Sequence, residues 1–233
     1  MIKNILLHVS RSYNPYVQQR ELWGMGQTVG GELDGNFNSR LYNLVDSGNN
    51  WQIVDITDQP SVVAIKSDGT LWGWGLNGSG YVGDNTTVTR SSPVQIGTHT
   101  WVSASAGSGF TSAIRSDGTL WAWGTSNVPD GTTINRSSPV QIGTNIWKSL
   151  SVSQNNGIVV RSDDTIWGWG RNEFGQLGNL ETAGAFGIPD NTSGSWSTSA
   201  PNRSFTIAIK SNGTMWGLRI IPSRKNDRNR KNL

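Results

Sequence analysis

Only two histidines are present, His8 and His99, and they sit in unlike contexts. A histidine metal cluster or a Ser-His-Asp triad would have to be assembled from single residues far apart in the chain. There is no cysteine, which removes disulfides, thiolate metal sites and a cysteine nucleophile. The acidic residues concentrate in turns, at Asp68, Asp117 and Asp163, where a carboxylate ordinarily bonds nearby backbone. Asp34-Gly-Asn-Phe-Asn38 has part of the look of a calcium loop but lacks the downstream acidic ligand. Gly73-Trp-Gly75 and its counterparts contain no Gly-Lys-Ser/Thr and open no helix, so they do not read as phosphate cradles. These residues point away from catalysis and give no cofactor to expect.

Two groups of side chains are better candidates for binding. Lys66, Arg115, Arg161 and Lys210 each stand just before a turn, at one recurring position. Repeats arranged about an axis would present them as a basic arc. The competing structural role is for each stem to lie over the facing Leu71, Leu120, Ile166 or Met215 with its charge in water. The loops beginning at Asn77, Ser126 and Asn172 are expected to project from one edge, where Tyr81, Glu173 and Phe174 vary between copies and could set specificity.

The elements that must position these residues are repeats. Leu22-Trp23-Gly24, Leu71-Trp72-Gly73, Leu120-Trp121-Ala122, Ile166-Trp167-Gly168 and Met215-Trp216-Gly217 recur at spacings of 49, 49, 46 and 49 residues. A second tryptophan precedes the last four copies in register, at Trp51, Trp101, Trp147 and Trp196. Arg90 to Thr98 recurs letter for letter at Arg136 to Thr144, and the short spacing comes from a loop three residues shorter in the third copy. High Gly and Trp content with 15% charged residues suits short strands and tight turns.

Within a copy, Asp68-Gly69 between two apolar runs predicts a two-residue type I′ hairpin. That loop would pair Lys66 with Leu71, Ile65 with Trp72, Ala64 with Gly73 and Val63 with Trp74. Asp163-Asp164 replaces Asp-Gly in the fourth copy and is expected to be the most strained turn. Glycine weakens a strand, so its recurrence at Gly73, Gly168 and Gly217 implies that another backbone or a ring packs there.

The run Trp167-Gly-Trp-Gly-Arg-Asn-Glu-Phe-Gly-Gln-Leu-Gly178, with the Ser-Asp-Gly-Thr hairpins and the Ser-Pro-Val-Gln-Ile segments, resembles the repeat of the regulator of chromosome condensation family. The likeness covers roughly residues 22 to 217 and is nearer to short prokaryotic or viral-type members, given repeats rich in Asn, Ser and Thr. It implies an all-β, β-propeller-like array of four-stranded blades, about four to five units. Family rings usually close with seven blades, so an open arc, an incomplete ring, is favoured over a smaller ring or one completed by another chain in a homo-oligomer.

The expected organisation is an N-terminal extension over 1–20, the repeat domain over 21–217 and a basic tail over 218–233. The tail sets six cations against Asp227, a net +5, so the formal +3 of the chain leaves −2 for everything before it. A nearly neutral body makes nucleic acid an improbable partner. No membrane span and no Sec-type signal is legible, so the expectation is a soluble, cytoplasmic or virion-associated protein. The function expected is a noncatalytic scaffold with a protein partner. Guanine nucleotide exchange on a small GTPase, which the resemblance implies, is the first alternative. A virion or cell-surface structural or carbohydrate-binding role is the second.

Overall fold

A computed structural model describes residues 6–11, 20–25, 43–46, 50–56, 61–125, 128–172, 176–177, 183–189, 195–201 and 206–218. All regular structure among them is antiparallel β. The first unit contains β1 (Leu6–Arg11), β2 (Arg20–Met25) and β3 (Asn43–Asp46), paired in that order. β1 lies inside the stretch read as an N-terminal extension, and it pairs His8 with Trp23 and Leu7 with Gly24.

The second unit begins with β4 (Trp51–Ile56), β5 (Ser61–Lys66) and β6 (Thr70–Gly75). Its fourth strand is the first half of β7 (Arg90–Ala106), whose second half opens the third unit. That unit continues through β8 (Phe110–Arg115) and β9 (Thr119–Gly124) into the first half of β10 (Arg136–Ser153). The second half of β10 starts the fourth unit, with β11 (Asn156–Arg161), β12 (Ile166–Arg171) and β13 (Ala183–Pro189). β14 (Trp196–Pro201), β15 (Thr206–Lys210) and β16 (Met215–Leu218) form the last unit. The second, third and fourth units are thus four-stranded propeller blades, three strands being described in the first and the last, and packing passes from each to the next in an open array.

Shared strands explain the letter-for-letter copies at Arg90 and Arg136. Each segment is the outer strand of a blade. Its Pro93 or Pro139 has no N–H to donate, and Gly97 or Gly143, at φ +62°, turns the chain toward the next blade. Both features also keep the outer edge from offering a flat template for pairing.

The core is built from two unlike faces. In the second unit Val63, Ile65 and Leu71 form one face, with Ile96 from the fourth strand packed beside them. They meet Trp101, Ala113 and Trp123 of the next blade. The following joint sets Ile114, Leu120, Ala122, Val128 and Ile142 against Trp147, Val159 and Trp169. The last one sets Ile158, Val160, Ile166 and Leu177 against Trp196 and Ala208. Each of these three joints therefore places an aliphatic face against a tryptophan face, and the burial of large indoles supplies the cohesion.

The hairpin differs from the two-residue reading. Gly69 N–H donates to the Lys66 carbonyl at 2.9 Å and Gly69 has φ +82°, which makes a three-residue loop ending in a left-handed residue. One extra loop residue shifts the register by one: Ile65 opposes Leu71, Ala64 opposes Trp72, Val63 opposes Gly73 and Val62 opposes Trp74. The same left-handed position is held by Gly118 at +83°, Gly213 at +82° and Asp164 at +70°. The fourth turn alone carries a side chain there.

Candidate interaction site: the cations at the hairpin turns

Each turn is fixed by a short relay. Asp68 Oδ1 accepts from Thr70 N at 2.9 Å and Thr70 Oγ1 at 2.7 Å, and Thr70 Oγ1 accepts from Trp72 Nε1 at 2.8 Å. The relay recurs at Asp117, Thr119 and Trp121. It recurs again at Asp163, Thr165 and Trp167, and with Asn212 at Thr214 and Trp216. The threonine bonds hold the Asp68, Asp117 and Asp163 carboxyls below the usual carboxylate range, helped by the neighbouring Lys66, Arg115 and Arg161. The indole of the relay is thereby pinned edge-on to the turn.

The four cations stand directly across a strand pair from the leading tryptophan of their blade: Lys66 from Trp51, Arg115 from Trp101, Arg161 from Trp147 and Lys210 from Trp196. Lys66 Nζ lies 4.7 Å from the Trp51 ring centroid and 4.0 Å from that of Trp72. The Arg115 guanidinium lies 5.3 Å from Trp101 and 3.6 Å from Trp121. Arg161 lies 5.7 Å from Trp167, and Lys210 lies 5.1 Å from Trp196 and 4.5 Å from Trp216. These side chains do not cover the facing leucine, isoleucine or methionine, because the shifted register puts indoles beneath them. Paired indoles meet edge to face at 6.2 to 6.4 Å in three blades, so the platforms are rigid.

The row is not purely basic. Arg161 pairs with Asp163 at 2.5 Å, and the turn carboxylates Asp68 and Asp117 lie near Lys66 and Arg115. Cations and carboxylates alternate along the edge, and only Asn212 replaces the carboxylate in the last blade.

Tyr81 is half-buried. Its loop is drawn in by Asn77, whose Nδ2 donates to Asp84 Oδ1, Thr86 O and Val88 O at 3.0 to 3.1 Å, and whose Oδ1 accepts from Val82 N at 2.9 Å. Arg90 closes it through Nε on Asp84 Oδ2 at 2.5 Å. Burial alone would raise the Asp84 carboxyl, but the bonds from Thr86 and Arg90 outweigh it and hold it low. The Tyr81 carbonyl then accepts from Trp123 Nε1 of the next blade at 3.0 Å. The Tyr81 backbone is thereby part of a joint between blades.

The next copy repeats the clasp with Asp130, Thr132 and Arg136, and Asn172 repeats the Asn77 bond by accepting from Leu177 N at 2.8 Å. Glu173 and Phe174 lie outside the described residues. The clasp was missed in the sequence, although Asp-x-Thr-x-x-x-Arg stands at Asp84 and again at Asp130. Among the described residues no three His, Asp or Glu side chains gather as metal ligands, and no helix is long and apolar enough to cross a membrane.

The family model for the regulator of chromosome condensation (RCC1) repeat matches residues 68–114 and, in a second form, 147–176. The chain carries RCC1 repeats in these two stretches. The matched stretches contain the Asp68 and Asp163 relays, and the Asp117 and Asn212 relays lie outside them. No curated protein matches its sequence. Among solved structures, human WBSCR16 is similar with a TM-score of 0.75 at 14% identity, over 92% of this chain and 59% of that one. Prp20, the RCC1 of Saccharomyces cerevisiae, is similar with a TM-score of 0.68 at 17% identity, over 87% and 53%. The same yeast protein bound to Kap60 gives 0.67 at 14%, over 84% and 51%. At these identities the likeness establishes the fold, and the RCC1-repeat chain spans between half and three-fifths of the length of these structures.

Proposed function

We propose that the chain is a noncatalytic repeat scaffold that binds a protein partner along the edge carrying Lys66, Arg115, Arg161 and Lys210. One observation carries this reading. In four successive blades a cation is held at the same turn over the same tryptophan positions. Rigid platforms lower the entropy lost when such side chains bind. The alternation with turn carboxylates suits a mixed polar protein surface better than a polyanion, which agrees with the near-neutral body. Yeast Prp20 offers a parallel, since its structure is known bound to Kap60 and its binding properties to Gsp1p and histones have been described.

A sugar would need a bare indole face. Trp72, Trp121, Trp167 and Trp216 each already carry a cation of the chain itself, which argues against the carbohydrate reading.

The test is a displayed-peptide library panned against the folded chain and against a K66Q/R115Q/R161Q/K210Q variant. Peptides enriched on the parent and lost on the variant support the scaffold reading. Enrichment indifferent to the substitutions removes this edge from it. Stimulated guanine-nucleotide release from a small GTPase would replace it with the exchange alternative.

A further inference from the structure

The turns of the cation edge are built alike and differ in what stands beside them. On one side the first strand of each blade bulges one residue after its leading tryptophan, at Gln52, Val102, Lys148 and Ser197. On the other side the left-handed turn residue bonds the next blade. The carbonyls of Gly69, Gly118 and Asp164 accept from the backbone N–H of Trp101, Trp147 and Trp196 at 2.8, 2.9 and 3.0 Å. The residues before those tryptophans, Thr100, Ile146 and Ser195, therefore flank the three turns. The turn of the second unit lies between Gln52 and Thr100, and that of the fourth between Lys148 and Ser195, all polar. The turn of the third unit lies between two aliphatic side chains, Val102, which is 57% exposed, and Ile146, which is 45% exposed.

The cation of that turn is also held differently. In the fourth unit Arg161 pairs with Asp163 at 2.5 Å and lies 5.7 Å from Trp167, and Lys148 pairs with Asp164. In the third unit Asp117 is engaged by Thr119, and the Arg115 guanidinium lies only 3.6 Å from the centroid of Trp121. Its Nε is buried without a hydrogen-bond partner, and the side chain makes no ion pair among the described residues. Burial disfavours its charge more than the nearby Asp117 favours it, which pulls its pKa below the ordinary arginine value. A guanidinium that is partly desolvated, steadied by two indoles and short of acceptors can take a carboxylate through two parallel bonds. Exposed aliphatic groups on both sides would shield that pair from water once a partner covers them.

We infer that the turn of the third unit, Arg115 flanked by Val102 and Ile146, is the anchoring point of the edge, and that it takes an Asp or Glu side chain of a protein partner together with a neighbouring aliphatic residue. The inference rests on the reading of this edge as a protein-binding surface and adds the chemistry of the group that docks there. A phosphate fits less well. The bonds from Thr119 keep Asp117 ionised beside the guanidinium, and its repulsion of a dianion is about twice that of a carboxylate.

The probes are three pools of displayed peptides, random except for a central Glu, Gln or phosphoserine, panned against the full chain. The Glu pool should be recovered best, in peptides with an aliphatic residue close to the fixed Glu. Arg115→Gln should lower that recovery at least about tenfold, and by more than Arg161→Gln does. Val102→Glu sets a like charge beside the guanidinium at an exposed bulge and should lower it by a similar factor. Val88→Glu adds the same charge at a residue 59% exposed on the loop after β6, and should leave recovery unchanged. Equal recovery from the Gln pool, preference for the phosphoserine pool, no recovery from any pool, or equal losses with Arg115→Gln and Arg161→Gln overturns the inference. Recovery kept with Arg115→Gln but lost in the K66Q/R115Q/R161Q/K210Q variant overturns it too and leaves the cation edge standing. Recovery indifferent to every one of these substitutions removes both.

Discussion

Asp55 ties three blades together through one carboxylate. Its Oδ2 accepts from Ala106 N at 3.0 Å and Ser105 Oγ at 3.1 Å, its Oδ1 accepts from Ile56 N at 2.8 Å, and Ser105 Oγ accepts in turn from Val152 N at 3.0 Å. Burial raises its pKa above 3.8, more than the bonds from Ala106, Ile56 and Ser105 lower it. A raised folded pKa means that the native state binds the proton more tightly than the unfolded chain. The stability this group contributes is full below 3.8 and is lost as pH rises through the folded value. Asp68, Asp84, Asp117 and Asp130 run the other way, stabilising above 3.8 and losing that contribution as pH falls through their lowered values. Comparing Asp55→Ala with the parent at each pH cancels those groups. The deficit of the variant in urea unfolding should be larger at pH 4 than at pH 7. A deficit that grows with pH would show that desolvation does not dominate at this residue.

At the scale of the element, the hairpin was half legible. Asp-Gly announced a turn and a left-handed residue, and both are present. The loop length was misread because Thr70, which looks like the start of a strand, also carries the relay that binds Asp68 and Trp72. Its Oγ1 fixes three residues in the loop, and every cross-strand pair moves by one. That single slip is why the cations were expected over leucine and are found over tryptophan. The expectation that glycine marks close packing holds at Gly73 and Gly168, while at Gly217 no described residue lies within 4 Å of a Cβ. The turn glycines allow a direct comparison. Gly213→Ala pays only for the left-handed backbone, about 1 kcal/mol, since a Cβ there meets nothing within 4 Å. Gly118→Ala adds a contact at 2.5 Å with Ile146 Cγ2 and should cost more. Thermal unfolding of the two variants should rank Gly118→Ala lower, and equal transitions would mean that Ile146 moves aside freely.

For the whole molecule, repetition could be read from tryptophan spacing because each blade repeats the same two-faced joint. The strand that belongs to two blades could not, since Gly97, where the chain turns toward the next blade, carries the same letter as glycines inside strands such as Gly73. An array in which each blade leans on its neighbours has stability that depends on position. β8 is buried along nearly its whole length between two blades, whereas β15 has its aliphatic face open. Backbone amides of Thr206–Lys210 should therefore exchange at least about tenfold faster than those of Phe110–Arg115 under native conditions. The reverse order would mean that the last blade is covered in solution. The shared strands also decide how the protein answers to force. A pull that strips β6 from the first half of β7 loads the second half, where Trp101–Ala106 hold β8, and the same handover occurs at β10. No middle blade can be drawn out alone, so tension entering at one end is passed along the array and shared, as in a rope whose strands overlap at every splice.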